Sequence, residues 1–215
     1  MNKLFGLALL TLFILGSIGT VLAFDDNNNI FPVAAYDMLD PESEDYVSTA
    51  YILDVRTPAE WYWVGHPGKD KCGNGAFLEE TVRKVINIPW NLWEYVPQDK
   101  EYKKIPNRFF NEEVVRQFAP GDTIIIMCRS GKRSVIALEE LEDSAHPACK
   151  RLEELGYYSI YNMLGGFEGG RNALTNSANC QHRTKPEGWK NNGLPYVDND
   201  KGIWTPRQKG RSLSE

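Results

Sequence analysis

Residues 123–134 read TIIIMCRSGKRS, and the interpretation of the whole chain starts from this stretch. Residues 123–127 form a short aliphatic run, which predicts a strand buried on both faces, as in a parallel sheet. Cys128 follows this strand directly, and a turn that contains Gly131 then leads into a helical pattern. Ligands bind at the carboxyl ends of the strands in an open α/β sheet. The sequence therefore places a thiol at the edge where an active site is expected.

Similar aliphatic runs recur along the chain and indicate further buried strands, at residues 51–55, 84–88 and, more weakly, 159–163. Amphipathic patterns that predict helices lie between them, at residues 111–118, 133–141 and 147–155. Pro120-Gly121 ends the first of these helices, and Gly156 ends the last. Strands that alternate with helices favour a right-handed α/β fold with helices on both faces of the sheet.

The surroundings of Cys128 favour an ionised thiol. The first backbone N–H groups of the helix that follows, together with its dipole, stabilise negative charge at this point. Arg129, Lys132 and Arg133 add three positive charges close to the sulfur atom. We therefore expect the thiol to ionise well below its unperturbed pKa of about 8.5. A thiolate nucleophile that attracts small anions is the predicted result.

The composition is that of an ordinary globular protein. Of the 215 residues, 42% are hydrophobic and 25% are charged, which excludes long disordered regions and fibrous repeats. Lys and Arg number 24 against 29 for Asp and Glu, and no long basic block occurs, so nucleic acid is a poor candidate partner. Several aromatic residues lie close to the strand ends, and we expect core packing for most of Trp61, Tyr62, Trp63, Trp90, Trp93 and Tyr95.

Residues 1–23 have the pattern of a secretory signal peptide. Lys3 precedes an apolar run over residues 4–18, and Val21-Leu22-Ala23 provides small or aliphatic residues at a cleavage spacing. The alternative is an uncleaved membrane anchor over residues 4–24, whose 21 residues are just enough to span a bilayer. In both cases we expect an exported domain, either periplasmic or secreted, or else anchored to the outer side of the cytoplasmic membrane.

The residues around Cys128 resemble the active-site loop of the rhodanese family of sulfurtransferases. Further motifs of that family occur in the family's order: Leu53-Asp54-Val55-Arg56 with Pro58 and Glu60, Gly65-His66, Ile86-Asn87-Ile88-Pro89, Leu155-Gly156-Tyr157, Asn162-Met163-Leu164-Gly165-Gly166-Phe167, Trp189 and Gly193-Leu194-Pro195. The resemblance covers about residues 30–196 and implies a three-layer α/β/α fold around a mainly parallel five-stranded sheet. It implies one domain over residues 24–196, followed by a polar tail over residues 197–215.

The resemblance also implies sulfur transfer without a metal or an organic cofactor. Cys128 would accept a sulfur atom from a small anionic donor such as thiosulfate, hold it as a persulfide and pass it to a thiol, cyanide or sulfite. Arg133 would act with Cys128 in catalysis, and donor and persulfide would be bound by Arg129, Ser130, Gly131, Lys132 and Ser134. Asp54 and Arg56 would form an ion pair that fixes a strand end. For His66 we favour a hydrogen-bonded structural role over a direct role on the substrate.

Two other functions remain open at this point. The first is a non-catalytic carrier, in which the same loop holds a persulfide or an anion for a protein partner. The second is a phosphatase or an arsenate reductase. Phosphatases of related fold place one more residue between cysteine and arginine than the four that separate Cys128 from Arg133, and Met127 stands where their motif has histidine. The tighter loop suits one sulfur atom better than a tetrahedral oxyanion.

Two segments depart from the family pattern. Residues 67–84 separate the Gly-His pair from Asn-Ile-Pro, and we expect a surface excursion or a lid. Residues 139–149 lengthen the connection after the cysteine loop, and His146-Pro147 is predicted to break this connection into two helices.

The remaining cysteines allow one disulfide in an oxidising compartment. We favour Cys72 with Cys180, because residues 67–84 and the polar stretch that begins at Asn172 both leave from the carboxyl edge of the predicted sheet. Cys149 would then be a buried thiol. A resolving role, in which one of these cysteines relieves the Cys128 persulfide by forming a disulfide, also remains open.

Overall fold

A central parallel sheet organises the computed structural model, which describes residues 28–79, 83–131, 145–169 and 188–197. In chain order the strands are β1 (Asn29–Ile30), β2 (Ala50–Asp54), β3 (His66–Pro67), β4 (Val85–Asn87), β5 (Asn91–Val96), β6 (Glu101–Pro106), β7 (Thr123–Met127), β8 (Ser159–Met163) and β9 (Tyr196–Val197). The α-helices are α1 (Pro32–Leu39), α2 (Pro58–Val64), α3 (Phe110–Gln117) and α4 (Ala145–Glu154), and 3-10 turns span Ala76–Leu78 and Lys190–Asn192.

The sheet has the strand order β1-β8-β7-β2-β4, and every neighbouring pair is parallel. This arrangement confirms the predicted α/β fold with a five-stranded sheet. Asp54, the last residue of β2, pairs with Met127 of β7 and with Asn87 of β4. The carboxyl ends of the three strands therefore lie level with one another. The connections that leave them meet at one edge.

The core lies on both faces of the sheet, as the aliphatic runs predict. All five residues of β7 are buried. Because successive side chains of a strand point to opposite faces, Ile124 and Ile126 pack with α3 and α4, whereas Ile125 and Met127 pack with α1. The sheet is therefore the middle of three layers, with α1 on one face and α3 and α4 on the other. Cys128 belongs to the cluster on the side of α3 and α4.

Local sequence signals account for the helix boundaries near the site. Thr57 caps α2: its hydroxyl accepts the N–H of Glu60 at 3.3 Å, and the Glu60 carboxylate accepts the N–H of Thr57 at 3.1 Å. Helix α4 begins two residues before its predicted start. His146-Pro147 lies in the first described turn of α4, a position where the missing N–H of proline costs no hydrogen bond. The helix predicted over residues 133–141 lies outside the described residues, so the predicted division into two helices stays a prediction.

The excursion after β3 is attached to the end of the described chain. Strand β3 pairs antiparallel with β9, and the Gly68 N–H donates to the carbonyl of Pro195. Leu78 is buried in the cluster on the side of α1, so the excursion contributes to the core. Trp189 is also fully buried, and its indole N–H donates to the Pro195 carbonyl at 2.8 Å. Residues 188–197 are thus part of the domain.

Strands β5 and β6 form a hairpin outside the central sheet, and no sequence pattern predicted it. Trp93 and Tyr95 on β5 are about half exposed, and Trp63 on α2 is 72% exposed. Core packing was expected for most of the six aromatic residues. It is not found for these three, whose side chains are exposed, while Trp90 packs against the core cluster on the side of α3 and α4. In the part of the chain that the structure describes, no helix has both the length and the hydrophobicity needed to cross a bilayer.

Candidate active site

Cys128 lies immediately after β7, at the carboxyl edge of the sheet. The residue is only 3% exposed. Its sulfur atom accepts the backbone N–H of Gly131 at 3.1 Å. A backbone donor in this position stabilises negative charge on sulfur, whether the sulfur belongs to a thiolate or to a persulfide. The loop therefore directs at least one backbone donor at the Cys128 sulfur atom.

The cysteine loop, described here over residues 128–131, packs against a turn that follows β8 at residues 164–168. Backbone N–H groups of this turn donate to carbonyl groups of the cysteine loop. The N–H of Phe167 donates to the carbonyl of Cys128, and the N–H of Glu168 donates to the carbonyl of Arg129, both at 2.9 Å. These two carbonyls therefore face the turn. The loop can then direct N–H groups, and not carbonyl oxygens, towards the sulfur atom.

Glycines allow the loop and the turn to pack backbone against backbone. Gly131 and Gly166 both have positive φ values, of 56° and 55°. A Cβ atom on Gly166 would lie 2.3 Å from the carbonyl oxygen of Cys128, and one on Gly131 would lie 2.0 Å from the nitrogen of Gly165. The close approach thus requires glycine at both positions for conformation and for space.

Asp54 and Arg56 form a buried ion pair beside this turn. The Nε of Arg56 lies 2.9 and 3.0 Å from the two carboxylate oxygens of Asp54, and its Nη2 donates to the carbonyl of Gly65 at 2.8 Å. The guanidinium group lies 4.3 Å from the centre of the Phe167 ring. The pair therefore connects the end of β2 and the end of α2 with the turn that holds the cysteine loop.

Asn87 fixes the same region from β4, and sequence reasoning assigned it no role. Its Nδ2 donates to the carbonyl of Asp54 at 2.8 Å and to that of Arg56 at 2.9 Å. One sequence feature could have indicated this role. Asn87 interrupts an otherwise aliphatic run, and an amide side chain that is buried in a sheet must find hydrogen-bond partners.

Arg129 forms ion pairs with two carboxylates in the structure. Its Nε donates to the carboxylate of Glu168 and lies 3.9 Å from a carboxylate oxygen of Glu60. The Arg129 side chain is 48% exposed, whereas that of Glu168 is 15% exposed. The sequence predicted Arg129 as a ligand of the donor and gave Glu168 no role. The sequence feature that could have indicated a role for Glu168 is its position, because this acidic residue directly follows the Gly-Gly-Phe motif.

His66 lies in the wall of a separate cavity of about 330 Å³. Its Nδ1 is 2.9 Å from the carbonyl of Pro67, which makes Nδ1 the protonated nitrogen, and its ring stacks on Trp61 at 3.8 Å. Cys128 is not among the described residues that line this cavity, which are His66, Gly68, Lys69, Asp70, Leu78, Glu79 and Val197.

The other predicted site residues differ in how far the structure describes them. Ser130 is half-buried beside Cys128. Lys132, Arg133 and Ser134 lie outside the described residues, and their roles stay predictions. Among the residues that are described, no group of three or more His, Cys, Asp or Glu side chains could hold a metal ion.

The remaining cysteines lie in different environments. Cys72 is an exposed free thiol on the excursion after β3. Cys180 lies outside the described residues, so the predicted disulfide between Cys72 and Cys180 stays a prediction. Cys149 on α4 is fully buried, in the same apolar cluster as Cys128.

Comparison with known proteins identifies the family to which this fold belongs. The Rhodanese-like domain family matches residues 33–173. The chain is 29% identical over 168 residues to an uncharacterized protein of Rickettsia conorii, covering 78% of this chain and 95% of that protein. It is 31% identical over 115 residues to thiosulfate sulfurtransferase 18 of Arabidopsis thaliana, covering 54% and 62% of the two chains. The crystal structure of Rv0390 from M. tuberculosis matches with a TM-score of 0.50 and 27% identity, over 79% of this chain and 96% of that one. The chain belongs to the Rhodanese-like domain family.

Proposed function

We propose that the protein is a sulfurtransferase that carries a sulfane sulfur atom on Cys128. The observation that carries this proposal is the 3.1 Å contact from the Gly131 N–H to the Cys128 sulfur at the end of a buried strand. The thiosulfate sulfurtransferase name of the Arabidopsis relative supports the same reaction class.

The reaction would proceed in two displacements. In the first, the Cys128 thiolate attacks the outer sulfur atom of a donor such as thiosulfate. A bond forms between Sγ and that atom, the bond between the two donor sulfur atoms breaks, and sulfite leaves with the electron pair. In the second, an acceptor thiolate, cyanide or sulfite attacks the terminal sulfur of the persulfide, and Sγ leaves as the thiolate. No external oxidant, reductant or proton is consumed.

The cysteine loop would bind the reacting groups. N–H donors such as that of Gly131 would hold the persulfide, while Lys132 and Arg133, which follow in the sequence, would attract an anionic donor. The low exposure of Cys128 favours donors that present a sulfur atom at a narrow end, as thiosulfate does.

Intact-mass measurement together with a thiocyanate assay tests the proposal. We expect the purified protein to gain the mass of one sulfur atom on incubation with thiosulfate and to release that sulfur as thiocyanate when cyanide is added. Cys128→Ser should abolish both, because no thiolate remains to attack the donor. Cys72→Ser, which removes an exposed thiol, is the matched control and should retain both.

Failure of the wild-type protein to gain sulfur would contradict sulfur transfer. A stable persulfide combined with very slow thiocyanate formation would favour the second candidate, a carrier for a protein partner. The burial of Cys128 is the observation that favours this carrier, because a partner could expose the thiol on binding. Hydrolysis of an aryl phosphate that depends on Cys128 would favour a phosphatase instead.

We further propose that residues 1–23 direct export of the domain. Lys3, the apolar run over residues 4–18 and the Val-Leu-Ala ending support this proposal. Mass spectrometry of the protein from its native host should find a chain that begins at Phe24. A chain that keeps residues 1–23 and sediments with membranes would favour the anchor, and an intact chain in the cytosol would contradict export.

A further inference from the structure

We propose that the hairpin of β5 and β6 is a docking surface for a protein that accepts sulfur from Cys128. The inference rests on the proposed function and names the class of its acceptor, a protein segment that presents a cysteine thiol beside apolar side chains. The surface consists of three exposed rings on one side of the hairpin, here called the aromatic face: Trp93, Tyr95 and Tyr102.

The aromatic face follows from the alternation of side chains along the two strands. Trp93 and Tyr95 are two residues apart on β5 and therefore point to the same side. Tyr102 lies opposite Tyr95 in the ladder and shares that side, and the two rings are 5.3 Å apart. Glu94 and Glu101 alternate with these rings and point to the other side. Within β5 and β6, one side thus carries aromatic rings and no carboxylate.

The exposed area of these rings is large enough for a binding site. Trp93, Tyr95 and Tyr102 are 50%, 51% and 68% exposed. At about 150–250 Å² for a whole aromatic side chain, they leave about 250–400 Å² in water. The largest apolar patch on a monomeric protein has about this size and is often functional.

The base of the hairpin lies at the same edge of the sheet as Cys128. The hairpin follows β4, whose carboxyl end is level with that of β7, and β4 is two strands away from β7. Neighbouring strands are about 4.8 Å apart, so the base lies about 10 Å from the strand end that carries Cys128. Trp90 at this base packs on the apolar cluster that contains Cys128.

Hydrogen bonds fix both ends of the hairpin to the domain. The Trp90 N–H donates to the carbonyl of Val55 at 3.0 Å, and the Trp90 carbonyl accepts the N–H of Asn107 at 2.9 Å. The Asn107 Nδ2 donates to the carbonyl of Pro89, also at 2.9 Å. The base is therefore held in place before a partner binds, which lowers the entropy cost of binding.

A transient protein partner fits the aromatic face better than a second copy of the chain or a membrane does. A stable dimer buries about 800 Å² on each subunit, at least twice this area, whereas transient encounters use smaller interfaces. An anionic bilayer attracts clusters of basic residues. The chain has a formal net charge of −5, and Lys103 on the hairpin pairs with Asp99 and Glu101. Trp and Tyr, in contrast, are enriched where proteins bind proteins.

Sulfur transfer to such a partner needs no further reactant. The acceptor thiolate attacks the terminal sulfur atom of the Cys128 persulfide, and a bond forms between these two sulfur atoms. The bond from that terminal sulfur to Sγ breaks, and Sγ leaves with the electron pair as the thiolate. Because Cys128 is only 3% exposed, a macromolecular acceptor has to be oriented on the domain before its thiol can reach the persulfide.

Two synthetic peptides of equal length test the proposal as sulfur acceptors. One has a single cysteine flanked by leucine and phenylalanine, and the other has a single cysteine flanked by serine and glycine. We expect the wild-type protein to show a KM at least fivefold lower for the apolar peptide. Trp93→Gln and Tyr102→Ser should each raise that KM about fivefold, the scale of truncating one aromatic residue in an interface. KM for cyanide should stay unchanged, because cyanide needs no docking.

Tyr158→Ser is the matched control. Tyr158 is 61% exposed but directly precedes β8, at the opposite edge of the sheet, so this variant should keep the preference for the apolar peptide. Tyr102→Ser also removes a ring contact within the hairpin, whereas Trp93→Gln leaves the pair of Tyr95 and Tyr102 intact. Trp93→Gln therefore provides the test if the hairpin does not form in the other variant.

A binding measurement separates this inference from the proposed function. Fluorescence anisotropy would follow the labelled apolar peptide, with serine in place of its cysteine, on Cys128→Ser protein with and without Trp93→Gln. Binding that Trp93→Gln weakens would support the docking surface even if the wild-type protein formed no persulfide, a result that would refute sulfur transfer alone.

Equal KM values for the two peptides in the wild-type protein, or a preference that both hairpin variants retain, would overturn the inference. It would also be overturned if Trp93→Gln abolished a dimer seen by light scattering, which would assign the aromatic face to a second copy. Sedimentation with phosphatidylglycerol vesicles that depends on Trp93 would assign the face to a membrane and overturn the inference in the same way.

Discussion

Arg56 carries a charge into the interior, and its surroundings explain why. Removal of an ion pair from water is costly, and the attraction between the partners repays that cost only when the geometry is good. Here the Arg56 Nε contacts both oxygens of Asp54, and the ring of Phe167 covers the guanidinium. Its Nη1 has no hydrogen-bond partner within the described structure. The pair therefore positions the turn that holds the cysteine loop, and it adds little net stability to the fold as a whole.

Gly166 gives a prediction that belongs to a single residue. Gly166→Ala would force a Cβ atom against the carbonyl of Cys128 in addition to placing alanine at positive φ. We expect a loss of unfolding free energy greater than the ~1–2 kcal/mol of left-handed strain alone, and a slower formation of the persulfide, because the cysteine loop must shift. Urea denaturation and intact-mass kinetics measure the two effects.

Gly193 is the matched control for this substitution. It also has a positive φ, of 70°, but a Cβ atom there meets nothing within 4 Å. Gly193→Ala should therefore show the strain without the change in persulfide formation. Equal losses of stability in the two variants, with normal persulfide formation in Gly166→Ala, would show that the backbone contact does not position Cys128.

Four of the five strands of the central sheet, β2, β4, β7 and β8, were predictable because each contains a continuous aliphatic run. The two-residue edge strand β1 has no such run and was not predicted. Strands β7 and β8 have their predicted bounds, and β2 begins one residue earlier than predicted. The hairpin of β5 and β6 was not predictable in this way. Its contacts are cross-strand pairs on an exposed surface, such as the rings of Tyr95 and Tyr102 at 5.3 Å, and these leave no apolar periodicity.

The candidate site divides in the same way between local and long-range signals. The position of Cys128 follows from consecutive residues, a strand, a turn and a helix, so the sequence alone predicts it. The contact between Arg129 and Glu168 joins residues that are 39 positions apart. It exists because the turn after β8 packs on the cysteine loop, and such packing is a property of the assembled sheet. Local sequence patterns therefore could not predict that Arg129 would be paired.

The sheet as a whole has a carboxyl edge that carries Cys128 and an amino edge at which Lys84 binds backbone carbonyls. Lys84 immediately precedes β4, and its Nζ donates to the carbonyls of Ser48 and, at 3.1 Å, of Ala50. It also lies 4.8 Å from the centre of the Tyr51 ring. Strand β2 begins at Ala50, whereas its ladder with β4 begins only at Ile52. The ammonium group thus supplies donors to carbonyls that this ladder does not reach.

The burial of Lys84 makes the stability of the molecule depend on pH. Burial lowers the pKa of Lys84 below its ordinary value of 10.5, and Asp122 opposes this shift more weakly. Between the lowered pKa and 10.5 the unfolded chain binds more protons than the folded one, so the contribution of Lys84 to stability increases with pH across that window. Burial also raises the pKa values of Tyr51 and Tyr157, which reduces stability at pH values above 10.0.

Lys84→Met isolates the lysine from the tyrosines, because both proteins contain them and their contribution cancels in the difference. At neutral pH we expect the variant to be less stable by about 1–3 kcal/mol, because buried carbonyls lose their donors. The advantage of the wild-type protein should then grow as the pH rises towards 10.5. Urea denaturation of both proteins across this range measures the difference. A difference that stays constant with pH would mean that the folded structure does not disfavour the charged lysine, and the ammonium group would then be fully compensated by its carbonyl partners and the ring of Tyr51.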